Sequence, residues 1–291
     1  MSDKLTILAC QIDIPATDNI ERRNQHLTNT ANKASKYLGE NPADILLLPE
    51  LSSLDYSSTC FGNLDKVAED NEGESFQTWS DVAKAHGCWV LYGFAKRKTD
   101  NTTPAGFSIA TGVIEPGGSL YGIYEKLHLA QFGASEEKDY FSHQGNHLLV
   151  FECKGFTLAP IICYDIRFAE LCRTLTLKHQ VNCILHTGAY ARDPSFDSWH
   201  AFVKTRAMEN QIYMVSLNRA GNNFGNSVFM PPWVDSENEA TVFSDTKEEF
   251  KLLTLRKEAI DNARQDYHFI PDTLPSYDLP VKGAIKNKNS V

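Results

Sequence analysis

The sequence predicts an α/β fold in which helices cover β-sheets. Short apolar runs rich in Val, Ile and Leu alternate along the 291-residue chain with segments whose apolar residues repeat at helical spacing. A composition of 42% apolar and 22% charged residues can bury a full core. Because no Pro-, Gly- or Ser-rich linker divides the chain, we expect one domain over residues 1–270. A proline-containing, irregular tail over residues 271–291 should follow it.

The first half of the chain predicts strands separated by helices. Asp18 and Glu21 are placed to cap the first helix, and Pro116, Gly117 and Gly118 signal a hairpin turn. The predicted elements are, in order, a strand at 5–12, a helix near 20–38, a strand at 44–48, a helix at 75–86, a strand at 89–94 and two strands within 107–126.

The second half continues the alternation with shorter strands. Gly155 divides an apolar segment into two strands, and Phe168, Leu171, Cys172 and Leu175 lie on one stripe of the helix that follows. The predicted elements are two strands within 147–163, a helix at 165–178, a strand at 183–186, a helix at 195–210, strands at 212–217, 227–230, 240–243 and 250–255, and a helix at 257–265.

Charge and targeting signals exclude several classes of protein. The net charge of −9, without a dense Lys/Arg run, opposes nonspecific attraction to phosphate backbones, so nucleic acid is not an expected partner. The N-terminus lacks a secretory signal and no stretch approaches the length of a bilayer span. We therefore expect a cytoplasmic protein that does not insert into membranes.

The seven cysteines show neither a CxxC pair nor clustered metal-ligand spacing. We expect most of them to be reduced thiols that pack as small hydrophobic side chains. The sequence thus predicts no metal site.

Three reactive residues each end a predicted strand. Glu50 ends ILLLPE, Lys126 ends LYGIYEK and Cys163 ends TLAPIIC. Because sites in open α/β sheets gather at the carboxyl ends of strands, these side chains could meet. Taken singly, they could equally be a solvated acid, a surface cation and a buried thiol.

Cys163 has one further local feature. It directly precedes the helix predicted at 165–178, whose N-terminal dipole should favour the thiolate. An unperturbed thiol has a pKa of about 8.5, so a helix start and a nearby ammonium, such as that of Lys126, should increase the reactive fraction.

Four segments together resemble the nitrilase superfamily of carbon-nitrogen hydrolases. They are PIICYDIRFAEL, similar to its nucleophile region, LLLPE, similar to its glutamate segment, YEKLHL, similar to its lysine segment, and WHAFVKTRAMENQIYMVSLNRAG, similar to the helix and strand after the nucleophile. The resemblance extends from residue 5 to about residue 269. It implies a four-layer α-β-β-α sandwich, usually assembled as a homodimer or a higher homo-oligomer.

The resemblance also implies a Glu-Lys-Cys catalytic triad. Glu50 matches the general base and Cys163 the nucleophile that forms a thioester intermediate. Lys126 matches the cation that binds the oxyanion together with the backbone N–H of Tyr164.

A second glutamate usually follows the lysine in this superfamily. Glu137 falls at that position in EEKDYF, and Glu136 is the competing candidate. His128, in a K-x-H pattern found in relatives, is expected to support its loop by hydrogen bonding rather than to transfer a proton.

Other residues are candidates for substrate contacts. The segment HTGAY, where relatives line the pocket floor, contributes Ala189 and Tyr190, with Arg192 just beyond it. Arg167 is expected to pair with Glu170, or to anchor a substrate carboxylate if the substrate carries one.

The motif C-Y-D-x-R-F-x-E-L resembles branches that include omega-amidases. It implies hydrolysis of a small linear carboxamide to a carboxylate and ammonia, without a cofactor. The open alternatives are an N-carbamoyl-compound hydrolase or a nitrilase of the same superfamily, and a catalytically silent scaffold relative. A cysteine protease or thiol-redox enzyme would instead need a His base or a second Cys beside Cys163.

Overall fold

The computed structural model describes residues 3–98, 106–142, 144–280 and 282. Two six-stranded sheets pack face to face, and helices cover the outer face of each. This arrangement confirms the predicted α-β-β-α fold class.

The first sheet consists of β1 (Lys4–Gln11), β2 (Ile45–Leu47), β3 (Trp89–Arg97), β4 (Phe107–Ile114), β5 (Leu120–Glu125) and β14 (Glu249–Arg256). The second consists of β8 (Phe151–Cys153), β9 (Phe156–Ile162), β10 (Cys183–Thr187), β11 (Tyr213–Leu217), β12 (Val228–Met230) and β13 (Thr241–Val242). The strands of the first sheet lie in the order β14-β1-β2-β3-β4-β5 and those of the second in the order β13-β12-β11-β10-β9-β8. A two-stranded hairpin, β6 (Gln131–Phe132) and β7 (Ser135–Glu136), stands apart from both.

The long helices are α1 (Ile20–Glu40), α4 (Glu74–His86), α6 (Ala169–His179), α7 (Phe196–Asn210) and α8 (Lys257–Asp266). Three single-turn helices, α2 (Ser58–Phe61), α3 (Leu64–Val67) and α5 (Glu137–Tyr140), lie in loops where the sequence analysis places no element. Four-residue helices carry too little periodicity to be detected from sequence.

Three apolar clusters hold the four layers together. Between the sheets, β1 residues such as Ile7 pack with β9 and β10 residues such as Leu158 and Leu185. On the outer face of the first sheet, a second cluster includes Trp79 of α4, and on the outer face of the second sheet a third includes Trp199 of α7. Because alternate side chains of each strand enter different clusters, both faces of the central strands are buried.

The strand directions bring several strand ends together. β2 pairs in parallel with β1 and β3, and β10 pairs in parallel with β9 and β11. β5 is antiparallel to β4, which is antiparallel to β3, so β5 runs with β2 and β3. The carboxyl ends of β2, β5, β9 and β10 are therefore the places from which the candidate site is built.

One predicted helix begins later than expected. The sequence predicts a helix over 165–178, but Cys163–Arg167 forms a 3-10 turn and α6 starts only at Ala169. The carboxylate of Asp165 explains the turn, because it accepts hydrogen bonds from the backbone N–H of Ile162 and from the Tyr124 hydroxyl. Cys163 thus lies within a tight turn, not ahead of an α-helix.

The C-terminal tail was predicted over 271–291. Its described part, residues 271–280 and residue 282, contains neither helix nor strand, and the other residues of the tail lie outside the described ranges. The boundary at residue 270 stays a prediction. Within the described ranges, no helix combines the length and apolar character needed to span a membrane.

Candidate active site

Glu50 follows β2 and is held by a close backbone contact with β3. A Cβ on Gly93 would lie 2.4 Å from Leu51 N and 2.4 Å from Pro49 O, so only glycine allows this approach. Ser52 locks the contact, because its Oγ donates to Gly93 O at 3.0 Å and accepts from Gly93 N at 3.1 Å. The loop thereby turns the Glu50 side chain into the interior, where it is fully buried.

Lys126 links two glutamates directly after β5. Its Nζ donates to Glu50 Oε1 at 2.8 Å and to Glu137 Oε1 at 2.6 Å, and all three side chains are 0% exposed. An ammonium carries three N–H donors, and the described residues engage two of them. One donor therefore remains for a substrate atom.

Glu137 is fixed by two more donors. The Tyr56 hydroxyl donates to its Oε1 at 2.7 Å, and the backbone N–H of Ala130 donates to its Oε2 at 2.7 Å. Glu136 is exposed on the β6–β7 hairpin. The hairpin thus brings Glu137, and not Glu136, to Lys126.

Cys163 joins this cluster from the second sheet. It directly follows β9, is 7% exposed, and has a φ of +46°, in the left-handed region that a non-glycine residue adopts at a cost of about 1–3 kcal/mol. Its carbonyl oxygen accepts hydrogen bonds from His186 Nε2 at 3.0 Å and from the Tyr190 hydroxyl at 2.9 Å. These bonds help to hold the strained residue in place.

Burial and mutual charge shift the pKa values of the cluster. Burial raises the pKa of Glu50 to about 7, partly offset by Lys126 and reinforced by Glu137. Burial alone would lower the pKa of Lys126, but Glu137 and Glu50 outweigh it and raise that pKa well above its usual range. Lys126 is therefore a permanent cation, whereas Glu50 can exchange a proton near neutral pH.

The expectation of a resting thiolate was wrong. Burial, and then the Glu50 carboxylate, raise the pKa of Cys163 far above that of a free thiol, and Lys126 and a backbone hydrogen bond from Ala189 only partly oppose this. Lys126 is already paired with two carboxylates, whose negative charges offset its stabilising effect on a Cys163 thiolate. The thiol is protonated at rest and needs a base in order to react.

Glu50 has an acceptor suited to that proton. Its Oε2 is buried and receives no N–H or O–H donor from the described residues, while the Cys163 thiol interacts with the same carboxylate. Asp165, by contrast, accepts from His128 N at 3.0 Å and lies 2.9 Å from His128 Nδ1, in addition to its bonds from Ile162 and Tyr124. Asp165 is thus a saturated structural carboxylate, and His128 supports its loop by hydrogen bonding, as the sequence indicates.

The residues proposed as substrate contacts fall into three groups. Tyr164 follows Cys163 in the 3-10 turn, where the first backbone N–H groups lack an acceptor within the helix. Ala189 and Tyr190 are buried against Cys163 itself. Arg192 has its partners outside the cluster around Cys163: it donates to Phe224 O at 3.2 Å and forms an ion pair with Asp245 at 2.5 Å.

Arg167 does not pair with Glu170. Its guanidinium donates to Ser198 Oγ at 2.9 Å and lies 4.3 Å from the centre of the Phe202 ring. Arg167 is half-buried and ends the 3-10 turn that begins at Cys163.

Two contributors to the site were missed by the sequence analysis. Tyr56 lies 81 residues before the glutamate that it binds, and His186 lies 23 residues after the carbonyl that it binds. No local motif marks Tyr56. His186 begins the HTGAY segment at a strand end, but nothing in the sequence indicates that it binds the Cys163 carbonyl.

The geometry bears on the alternative chemistries. All seven cysteines are free and buried, so Cys163 has no disulfide partner. Among the described residues, no group of three or more His, Cys, Asp and Glu side chains could hold a metal ion. Burial lowers the pKa of His186 to about 4, and its Nε2 faces a carbonyl oxygen, so it is not a base for the thiol.

Known proteins resemble the chain over most of its length. A sequence model of the family described as carbon-nitrogen hydrolase matches residues 6–246. The 2-oxoglutaramate amidase of Bacillus subtilis (strain 168) is 32% identical over 240 residues, which cover 79% of this chain and 84% of that protein. The omega-amidase NIT2 of Homo sapiens is 25% identical over 260 residues, which cover 84% of this chain and 88% of that protein.

The fold also matches that of solved structures. Nit3 of Saccharomyces cerevisiae, a member of branch 10 of the nitrilase superfamily, superposes with a TM-score of 0.79 at 22% identity. The superposition covers 94% of this chain and 97% of that one. The two chains therefore share one fold over nearly their whole length.

Proposed function

The chain belongs to the carbon-nitrogen hydrolase family and is an amide hydrolase, and we propose that Cys163, Glu50, Lys126 and Glu137 carry out its reaction. The observation that carries this proposal is the buried ammonium of Lys126 held between two glutamates, one of which keeps an oxygen available for the thiol proton. A scaffold without activity would have no use for this buried charge, which costs free energy to desolvate.

In the proposed first half-reaction, Glu50 accepts the thiol proton while the sulfur of Cys163 bonds to the carboxamide carbon. The carbonyl electrons move to oxygen, where the remaining N–H of Lys126 and the backbone N–H of Tyr164 bind the negative charge. Glu50 then returns its proton to the nitrogen, the carbon–nitrogen bond breaks and ammonia leaves. The acyl group remains on Cys163 as a thioester.

In the second half-reaction, Glu50 takes a proton from water, whose oxygen attacks the thioester carbon. The carbon–sulfur bond breaks, the carboxylic acid is released and the thiol recovers the proton from Glu50. Glu137 keeps Lys126 charged and, through it, orients Glu50. No metal or organic cofactor has a role in this scheme.

We propose a small linear monoamide of a dicarboxylic acid as the substrate. The support is the similarity to proteins named 2-oxoglutaramate amidase and omega-amidase. Such a substrate carries a free carboxylate, and the Arg167 guanidinium, four residues beyond the nucleophile, is the proposed partner for it.

Ammonia release from a substrate panel tests this function. Succinamate and glutaramate should be hydrolysed faster than asparagine and glutamine derivatives, N-carbamoyl compounds or nitriles, both with and without a chelator. Arg167→Lys should raise KM for the charged monoamides and leave KM for a neutral amide such as butyramide unchanged. Faster ammonia release from an N-carbamoyl compound or a nitrile than from the monoamides would identify that compound, and not the amide, as the preferred substrate.

We also propose a homodimer in the cytoplasm. The support for the dimer is a row of exposed apolar side chains on the C-terminal segment, namely Tyr267, Phe269, Leu274, Tyr277 and Leu279. The support for the compartment is that all seven thiols are free. Analytical ultracentrifugation of the wild type and of a Tyr277→Asp variant tests the assembly, because a charge should weaken an apolar interface.

A further inference from the structure

The backbone carbonyl of Cys163 is unusual in binding two side-chain donors. His186 and Tyr190 both reach it, and both side chains are buried. Gly188 permits this, because a Cβ there would lie 2.7 Å from the Tyr190 ring. The ring of Tyr190 also stacks on Trp199, with centroids 4.5 Å apart.

The direction of every hydrogen bond in this group can be assigned. Cys163 O can only accept, so the neutral imidazole of His186 carries its proton on Nε2 and donates it to that carbonyl. His186 Nδ1 must then accept from Ser216 Oγ at 2.7 Å, and Ser216 Oγ in turn accepts from Trp199 Nε1 at 2.8 Å, since an indole N–H can only donate. A chain of donors therefore runs from Trp199 through Ser216 and His186 to the nucleophile's carbonyl.

The planarity of the peptide bond couples the orientation of the Cys163 carbonyl to that of the Tyr164 N–H. The carbonyl of Cys163 and the N–H of Tyr164 belong to one trans peptide unit and point in opposite directions. Fixing the carbonyl towards His186 and Tyr190 also fixes the N–H away from them. Donors on the carbonyl further polarise the same amide and strengthen its N–H as a donor.

We propose that His186 and Tyr190 are positioning residues, which aim the backbone N–H of Tyr164 at the oxyanion of the reaction. Both act through the Cys163 carbonyl, so this role is separate from the pocket-floor contact that the sequence suggests for Tyr190. The inference rests on the proposed thioester chemistry at Cys163. It identifies what keeps the left-handed nucleophile and its neighbouring amide in one orientation.

Two reactions of the same thiol separate this role from a merely structural one. Attack on a carboxamide passes through an oxyanion that needs the Tyr164 N–H. Alkylation by iodoacetamide forms a carbon–sulfur bond and expels iodide without an oxyanion, while Glu50 accepts the thiol proton in both cases. Loss of the positioning bonds should therefore slow amide turnover more than alkylation.

The test uses Tyr190→Phe and His186→Leu in the full chain. Each should lower kcat for the preferred amide about tenfold, as expected for one lost hydrogen bond, with KM and the iodoacetamide rate within about twofold of wild type. His186→Gln, which keeps an N–H near the Nε2 position, should restore most of the kcat. Tyr213→Phe is the matched control, since that buried hydroxyl donates to Arg256 O at 3.2 Å, in the first sheet, and should leave both rates unchanged.

Equal slowing of amide turnover and alkylation would overturn the proposal, because it would place the effect on the thiol. Unchanged kcat in both variants would overturn it as well. If the wild type releases no ammonia, or releases it without Cys163, the proposed function itself fails. If one variant does not fold, the other still decides between these outcomes.

Discussion

The two sheets contribute very different halves of the candidate site. Strand ends of the first sheet supply Glu50 and Lys126, and the adjoining β6–β7 hairpin adds Glu137; all three ionisable side chains are fully buried, and Lys126 binds both carboxylates. The second sheet supplies Cys163, whose carbonyl is held by the neutral side chains of His186 and Tyr190. One half is organised by charge, and the other by hydrogen bonds to a strained backbone.

This difference separates chemical tasks. In the proposed mechanism, the charged half moves protons and stabilises the oxyanion, so its removal should alter rates strongly and change the pH dependence. The neutral half fixes the direction of one amide and one sulfur, so its removal should alter rates moderately without changing pKa values.

Replacing the nucleophile should have the largest effect, because nothing else in the site can form the thioester. Cys163→Ala should reduce ammonia release by at least about 10⁴-fold while leaving circular dichroism and oligomeric state unchanged. Cys172→Ala is the matched control, since that thiol is equally buried but lies on α6. Near wild-type turnover of Cys163→Ala would sink the mechanism.

Removing the buried cation should affect both rate and stability. Lys126→Met deletes an oxyanion donor, which typically costs about 3–4 kcal/mol in barrier, and leaves two buried carboxylates unpaired, which typically destabilises by about 3–5 kcal/mol. Steady-state kinetics and urea unfolding measure the two effects.

The control for Lys126 is a partly exposed ion pair outside the site. Lys96 Nζ lies 2.7 Å from Glu125 Oε1, and both side chains are partly exposed. Lys96→Met should cost no more than about 1 kcal/mol in unfolding and should leave kcat unchanged. Similar losses for both lysine variants would contradict the distinction between a catalytic and a structural cation.

The Glu50 carboxyl should set the acidic limb of the pH profile. Its pKa is raised to about 7, and the base is active when deprotonated, so kcat/KM should be full above that pH and fall as pH decreases through about 7. Glu50→Gln should lower kcat/KM about a hundredfold or more and remove this limb. Glu136→Gln, on the exposed hairpin, should change neither; a retained limb in Glu50→Gln would reassign the base.

The smallest effect should come from the far end of the neutral donor chain. Ser216→Ala leaves His186 Nδ1 without its donor but keeps both bonds to the Cys163 carbonyl. The variant also leaves Trp199 Nε1 without its acceptor, but it reaches the Cys163 carbonyl only through the imidazole, so kcat should fall about threefold, less than for Tyr190→Phe. A larger loss for Ser216→Ala than for Tyr190→Phe would reverse the proposed order of importance.

Strand-end residues were accessible from sequence for a physical reason. Glu50, Lys126 and Cys163 each follow an apolar run, and parallel strands deliver their carboxyl ends to shared edges. Periodic apolar spacing made the α/β class predictable, whereas the four-layer sandwich was implied only by the family resemblance. The roles of these residues remain predictions that the experiments above decide.

Contacts between distant segments were not accessible. Whether Glu136 or Glu137 reaches Lys126 depends on a hairpin of two short strands and on Tyr56, and neither leaves a periodic signal in the sequence. The resting thiol was mispredicted because the pKa of Cys163 depends on burial, which a local helix-start argument does not include. Burial of a reactive group is a property of the packed layers rather than of its neighbours in sequence.

The most direct measurement is the intact mass of the enzyme during turnover. After rapid acid quenching with the preferred monoamide, the thioester mechanism predicts a mass increase equal to the acyl group. Hydroxylamine should release this group, and peptide mapping should place it on the peptide that contains Cys163. The same treatment of Cys163→Ala should give no increase. The thioester mechanism would be contradicted if the enzyme hydrolysed the amide without forming an adduct at Cys163 and if Cys163→Ala kept its turnover.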